Sequence, residues 1–335
     1  MKRKDFENFK KFPKAFKVKK LNRRVGIGSF YIYLLLLALP WMWMSCGKGV
    51  VEISPKNYQP KIVIEGYLYP HHPVGRIKIS RNFPLNSKIS RAALLLPDAR
   101  VFITDLGSNR KIGLLYDSRE QKYYDPNDQL DVEYGRSYRL EVAATVDGRA
   151  LQASAVTRVP QKGFAIDRSR TRDSLYYLQK DLSGRDVKPQ IFFSTSPGTN
   201  FYGFSIVALD TALNNFIFPP ENPFLFPKWG VDQVKKNFEK LIQSRDQIFD
   251  VLPGNGRMDR ILEWFHFMFY GRYRIVAYAG DDNMKDYYFT FKMVMEMDGN
   301  LHEPVMHIDG DGIGIFGSAI ADTLFFKVKR PPVGL

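Results

Sequence analysis

From Lys61 onward the chain is written in short runs of alternating apolar and polar residues, each stopped by turn residues. That pattern constrains it to a β-rich fold. Ile62–Leu68, Arg76–Ser80, Ala99–Asp105 and Ser137–Ala144 read as strands, and Lys111–Tyr116 with Gln121–Tyr124 reads as a hairpin pair. Asp147-Gly148 is a two-residue hairpin signal, because both residue types tolerate positive φ. The returning strand, Ala150–Val159, is stopped by Pro160. About seven short strands in roughly 100 residues predict an immunoglobulin-like β-sandwich over residues 61–160.

Residues 161–190 are polar and charged and read as a linker. A second β-rich domain is expected over residues 191–330. Its strands are Phe201–Leu209, Tyr273–Ala279, Tyr287–Met297 and Thr323–Val328. In Tyr287–Met297 the alternation puts Phe289, Phe291, Met293, Met295 and Met297 on one face. Val231–Phe249 has helical spacing, which predicts a helical insert near 230–250. Ile261–Tyr270 is aromatic and fits a buried helix or a strand. The expected class is mainly β: a sandwich followed by a second β-rich domain with a helical insert.

Cys46 is the only cysteine, so the chain makes no internal disulfide and must be stabilised by core burial. It follows a basic region from Lys2 to Arg24 and the uncharged run Val25–Met44, and the segment closes Trp43-Met44-Ser45-Cys46. Basic region, apolar region, small residue and cysteine is the layout of a lipoprotein signal, predicting a signal peptide over 1–45, lipidation at Cys46 and a tether over 46–60. The 20-residue apolar run is also long enough to span a bilayer, so an uncleaved anchor and ordinary secretion stay open. Residues 1–45 carry +9 of the formal +14 charge, leaving +5 on the rest. The basicity therefore belongs mostly to the export segment, and no nucleic-acid partner is expected.

The chemical motifs are weak. His302 and His307 are five apart with Pro304 between them, so they cannot share a metal from one helical face. Asp309-Gly310-Asp311-Gly312-Ile313-Gly314 begins like a calcium loop but lacks the later ligands, and reads as a glycine-rich turn entering a strand. His71-His72 reads as a loop tip and Asp281-Asp282 as a solvated turn. There is no P-loop and no Gly-x-Ser-x-Gly elbow, and no dinucleotide-binding site is expected. No catalytic residues, metal or cofactor are assigned, and the chain is expected not to be an enzyme.

The aromatics carry more. Phe216, Phe218, Phe224, Phe226 and Trp229 lie among Pro219, Pro220, Pro223 and Pro227, an irregular setting in which one regular strand cannot bury them all. Exposed rings of this kind stack on sugars or anchor protein partners. These five residues are the candidate contact surface; packing back on the sandwich as core is the competing reading.

The order of segments resembles a known family. Cys46, Ile62-Val63-Ile64-Glu65-Gly66-Tyr67, Ile77-Lys78-Ile79-Ser80-Arg81 and Asp98-Ala99-Arg100-Val101-Phe102-Ile103 open the series. Tyr134-Gly135-Arg136-Ser137-Tyr138-Arg139-Leu140-Glu141-Val142 continues it, and Gly312-Ile313-Gly314-Ile315-Phe316-Gly317 closes it. Together they resemble the Bacteroidetes lipoproteins of the domain-of-unknown-function 4249 family over roughly residues 46–330. The resemblance implies a lipid-anchored protein of the cell envelope, at the outer membrane, typically encoded beside a TonB-dependent transporter. It brings no catalytic residues. Surface-displayed members often carry acids just after the cysteine. Here Gly47, Lys48 and Gly49 follow and the first acid is Glu52, which leaves the periplasmic and surface faces open. The expected function is an accessory of a TonB-dependent transporter. The alternatives are a carbohydrate-binding module for glycan uptake, or a hydrolase with a spatially assembled site. A glycan or peptide is the expected ligand class.

Overall fold

The structure, a computed structural model, describes residues 58–84, 87–218, 221–224, 246–251, 256–295 and 303–332, with Asp232 and Lys236. The signal segment, Cys46 and the first part of the tether lie outside these residues.

The alternating runs of the first region form strands β1 (Ile62–Leu68), β2 (Ile77–Arg81), β3 (Arg100–Asp105), β4 (Arg110–Asp117), β5 (Lys122–Tyr124), β6 (Ser137–Val146) and β7 (Arg149–Arg158). β6 and β7 pair from Ser137↔Arg158 to Val146↔Arg149, and Asp147 (φ 50) and Gly148 (φ 77) make the turn with positive φ at both positions. Strand β4 joins two layers: Val101↔Leu114 pairs it with β3, and Leu115↔Tyr124 pairs it with β5. The inward residues of β1 and β2 (Ile62, Ile64, Ile77, Ile79) share one core with those of β3, β6 and β7 (Val101, Ile103, Leu140, Val142, Ala155). The strand path therefore folds back on itself as a β-sandwich.

The stretch read as a linker contributes to a second core. It contains β8 (Ala165–Ile166) and β9 (Ser174–Tyr176), and it buries Phe164, Ile166, Leu175 and Tyr177. The many charges of the stretch hid these four residues, which lie in or beside strands of only two or three residues. β10 (Gln190–Ser194), β11 (Phe201–Ala208), β12 (Asp246–Val251), β13 (Arg257–Ile261) and β14 (Gly271–Gly280) follow. β8, β10 and β13 form a small sheet whose Ile166, Ile191 and Phe193 meet Tyr202, Phe204 and Ile206 of β11 and Tyr273, Ile275 and Ala277 of β14. Most of the predicted Val231–Phe249 helix lies outside the described residues; Asp232 and Lys236 are helical, but its last residues belong to β12. Ile261–Tyr270 is neither a long helix nor a strand: it holds a 3-10 turn, Trp264–His266, with Trp264 and Phe267 buried.

β15 (Ile308–Gly310) pairs with β7, and β16 (Gly312–Lys329) connects the two cores. Its first part runs parallel to β1, from Ile62↔Gly312 to Leu68↔Ser318, and its second part pairs antiparallel with β14. Phe316 lies in the first core, and Ile320, Leu324, Phe326 and Val328 lie in the second. Gly312, Gly314 and Gly317 have the literal spacing of a dinucleotide-binding fingerprint, but they stand inside this strand rather than at a strand-to-helix turn, where that motif works. Among the described residues strand makes up 47% and helix 9%, so the fold is mainly β as expected.

The predicted strand Tyr287–Met297 is corrected: the chain forms helix α1 (Asp282–Met295). Asp281 is its N-cap, with Oδ1 accepting from Met284 N at 3.0 Å. Met284, Tyr287, Tyr288 and Phe291 repeat at i, i+3, i+4 and i+7, a helical period that coexists with the period of two further along. Met284 is buried, and Tyr287 and Tyr288 pack with it against Phe201, Ile315 and Ala319. The Asp281-Asp282 pair is accordingly no solvated turn: Asp282 is exposed, but Asp281 is largely enclosed. Thr157 Oγ1 donates to Asp281 Oδ2 at 2.5 Å, and Ser318 Oγ lies 2.8 Å from Thr157 Oγ1. One carboxylate thus joins β7, β16 and α1.

The remaining motifs serve the fold. His71 and His72 lie in an exposed turn, with His71 at φ 58. His302 lies outside the described residues, and His307 Nε2 lies 2.9 Å from Asp286 Oδ2. Asp311 is the turn between β15 and β16, and its Oδ2 accepts from Gln152 N at 3.1 Å. Among the described residues no group of three or more His, Cys, Asp or Glu side chains could hold a metal ion.

Candidate functional site

The second core ends in a groove of about 960 Å³. Its walls are the chain leaving β9, Glu221, Tyr270 and the exit of β16 at Arg330–Pro332. β9 runs parallel to the end of β16, pairing Ser174↔Lys327 and Tyr176↔Lys329, and Tyr177 N continues the ladder to Lys329 O at 3.0 Å. Strand alternation then decides the side chains: Leu175 and Tyr177 point inward, while Tyr176 stands 42% exposed on the rim. Beyond them the chain reverses at Leu178 (φ 52), and Val187 N donates to Gln179 O at 2.7 Å. Asp181 closes that loop by accepting from the Ser183 hydroxyl first, then from Arg185 N, Ser183 N and Arg185 Nε, hydrogen bonds that hold its carboxyl below the usual range.

The floor is aromatic. Tyr177 meets Trp264 edge-to-face at 5.3 Å and Tyr270 at 6.0 Å. Tyr270 Oη donates to Glu221 Oε2 at 2.9 Å; burial first, and the Glu221 carboxylate second, push this phenol well above its ordinary pKa. The Arg330 guanidinium lies 4.4 Å over the Tyr270 ring and donates to the Asn214 carbonyl, and Lys329 Nζ lies 5.6 Å over Tyr176. Tyr177 is 3% exposed, and its hydroxyl has no hydrogen-bond partner among the described residues. A buried phenol left unpaired costs on the order of 1–3 kcal/mol, so its presence in a groove wall needs an explanation. The arrangement is suited to binding: apolar rings with a few fixed polar groups, in the size range of ligand pockets.

Of the five aromatic residues singled out from sequence, the three described do not form one exposed surface. Phe216 is buried in the core, edge-to-face with Phe218 at 5.1 Å and Phe269 at 5.2 Å. Phe218 packs against the same core. Phe224 is 43% exposed and meets Phe265, also exposed, at 6.0 Å. Phe226 and Trp229, like Cys46, lie outside the described residues. The segment touches the groove through Glu221. The sequence reading missed Tyr176, Tyr177, Tyr270 and Arg330. The signals were Leu175-Tyr176-Tyr177, an apolar triplet inside a polar stretch, and Arg330 before Pro331-Pro332.

Among the described residues no helix is long and apolar enough to cross a membrane. A comparison with curated proteins found no match. Among solved structures, a tetra-tandem repeat from the extending region of a large adhesion protein is similar at 9% identity and TM-score 0.23, over 81% of this chain and 49% of that one. The FN1–FN3 domains of chicken CNTN1 are similar at 12% identity and TM-score 0.17, over 82% of this chain and 67% of that one. Likeness this low supports no inference about either fold or function. The family match is extensive: the description "Domain of unknown function (DUF4249)" fits residues 50–319, spanning the first sandwich, the second core and the start of β16, and the chain belongs to that family.

Proposed function

We propose that this chain is a non-catalytic, lipid-anchored binding protein of the Bacteroidetes cell envelope, held at the outer membrane and serving a TonB-dependent transporter. The observation that carries this reading is the place of Cys46, directly after a basic and then apolar segment and with 15 residues between it and Ile62, where the first strand begins. Fifteen extended residues reach at most roughly 50 Å, so acyl chains on Cys46 would keep the folded unit near the bilayer. More than one acyl chain makes such anchoring stable.

The geometry of β16 supports a docking role. The tether enters at β1, level with Gly312, whereas the groove lies beside Lys329 at the other end of the same strand. The 18 residues of this strand correspond to roughly 55 Å along the chain, which separates the groove from the end where the tether joins. The exposed Phe224–Phe265 pair offers a second apolar contact in the same half of the molecule.

The test is a crosslinked pull-down of the tagged full chain from native membranes. The expected result is recovery of a TonB-dependent transporter, falling to background in Cys46→Ala and clearly reduced when Phe224, Phe226 and Trp229 are all replaced by Ala. Lipidated protein that recovers no transporter would sink the proposal.

A further inference from the structure

We propose that the loop leaving β2, Asn82–Leu96, is a lipid-contacting surface that rests on the phospholipid bilayer to which Cys46 is tied. This rests on the reading of Cys46 as the anchor and adds to it the face that the folded unit turns toward the membrane.

The first argument is where the tether ends. Tyr58 Oη donates to the Asn82 carbonyl at 3.2 Å and lies 3.1 Å from Asp147 Oδ2. Asn82 Nδ2 donates to the Gln59 carbonyl at 2.9 Å, and Lys61 N donates to Asn82 Oδ1 at 2.7 Å. Arg81 completes the clasp, donating to Tyr58 Oη at 3.2 Å and pairing with Asp147. The tether is therefore bonded to Asn82, the first residue of the loop. Only Gly47–Asn57, eleven residues, stand between Cys46 and the clasp, at most roughly 40 Å of chain. β2 pairs Arg81 with Ile62, so the loop springs from the end of the sandwich at which the tether enters. It returns at the same end, through the Leu95↔Ser80 bridge and the Leu96 N to Ile79 O hydrogen bond at 3.2 Å.

The second argument is what the loop carries. From Asn82 to Leu96 there is no carboxylate, while Lys88 and Arg91 give a charge of +2. Phe83 is 46% exposed. Ala92 and Ala93 are exposed on a helical turn, Arg91–Leu94, whose cap is Ser90. Leu96 packs against the first core and roots the loop there. A lone exposed ring needs no explanation on a protein surface. Here the ring stands on a cationic, acid-free loop at the anchored end. A bilayer interface takes that combination, apolar groups entering the headgroup boundary and cations meeting lipid phosphates. The carboxylates of this end lie outside the loop: Asp147 is paired with Arg81, Asp311 accepts from Gln152 N, and Asp98 and Asp309 are exposed. They confine the contact to the loop itself.

One ring and two cations bind a bilayer only weakly. The tether changes this, because it turns the contact into an intramolecular event at high effective concentration. The contact therefore belongs to the anchored protein, and its test needs the lipidated chain.

The experiment reconstitutes the full lipidated chain in vesicles of phosphatidylethanolamine and phosphatidylglycerol, with and without brominated acyl chains that quench tryptophan at the interface. Phe83→Trp places a reporter on the loop. Leu182→Trp, at a fully exposed residue in the loop beside the groove, is the control. Emission is read as the amount added over wild type. The Phe83→Trp increment should fall by about half in brominated vesicles, and the Leu182→Trp increment should not change. Adding Ala92→Glu and Ala93→Glu to Phe83→Trp should reduce that quenching at least about twofold, because the new carboxylates oppose the lipid phosphates. Flotation of the vesicles tests the anchor separately. Protein that floats while Phe83→Trp is quenched no more than Leu182→Trp would overturn the contact and leave the anchored reading standing. Quenching untouched by the two glutamates would also overturn it. Protein that fails to float would sink the anchored reading, and this proposal with it.

Discussion

Gly314→Ala should remove about 3–5 kcal/mol of folding stability, a large share of what a domain of this kind possesses. Gly314 adopts φ +112, and a Cβ built there would lie 2.1 Å from the carbonyl oxygen of Ile64. The obstacle is backbone of β1, which is fixed on one side by β16 and on the other by β2, so no flexible side chain can yield. Alanine must either push β1 and β16 apart or abandon the positive φ, and both break the ladder that joins the first core to the second. Gly148→Ala is the control. That glycine also has positive φ (+77) but meets nothing within 4 Å, so its cost should be only about 1–2 kcal/mol, from backbone conformation alone. Urea unfolding of both variants measures the contrast. Equal costs would show that the close approach of β1 and β16 contributes no stability of its own.

The first sandwich was legible because its signals are local. Alternation places Ile62 and Ile64 inward within a single strand, and Asp147-Gly148 states its own turn. β16 was legible at Thr323–Val328 and, at its start, only as a glycine-rich turn entering a strand. Gly312, Gly314 and Gly317 carry no hydropathy signal, and their strand is defined by parallel pairing with a segment about 250 residues earlier, a contact no local pattern encodes. Helix α1 was misread because Phe289, Phe291, Met293 and Met295 satisfy a period of two, while the deciding cap, Asp281, stands outside that window. The groove was illegible for the reason β16 was. Tyr177, Glu221, Tyr270 and Arg330 are brought together by the β9–β16 pairing and by the bridge between Phe216 and Phe269, both long-range. That bridge also explains Phe216: a strand-like contact amid the prolines draws it into the core, while Phe224, beyond Pro223, remains outside.

Asp281 should make stability fall as pH rises between about 4 and about 6. Burial pushes its carboxyl up to about 6, against the hydrogen bonds from Thr157, Met284 N and the Ser318 backbone that oppose the rise; Asp282 beside it adds a little more. The native state therefore holds this proton more tightly than the unfolded chain, whose aspartate titrates near 4. Stability from this group is greatest below that value, declines as pH passes through the folded-state value, and is flat above it. The full linkage amounts to about 3 kcal/mol, lowered by solvent that reaches the carboxylate from the cleft beside it. Asp281→Asn isolates the effect. The amide oxygen still caps Met284 N, its N–H can donate to Thr157 Oγ1, and nothing titrates. The difference in unfolding free energy between wild type and Asp281→Asn should thus move by about 2–3 kcal/mol from pH 4 to pH 7, in favour of the variant at the higher pH, with other titrating groups cancelling. Relative to Asp281→Asn, Asp281→Ala should lose a further amount of about 1–2 kcal/mol at every pH by uncapping α1. A pH-independent difference for Asp281→Asn would mean that the carboxylate is well hydrated, and that its hold on β7, β16 and α1 is only that of an ordinary cap.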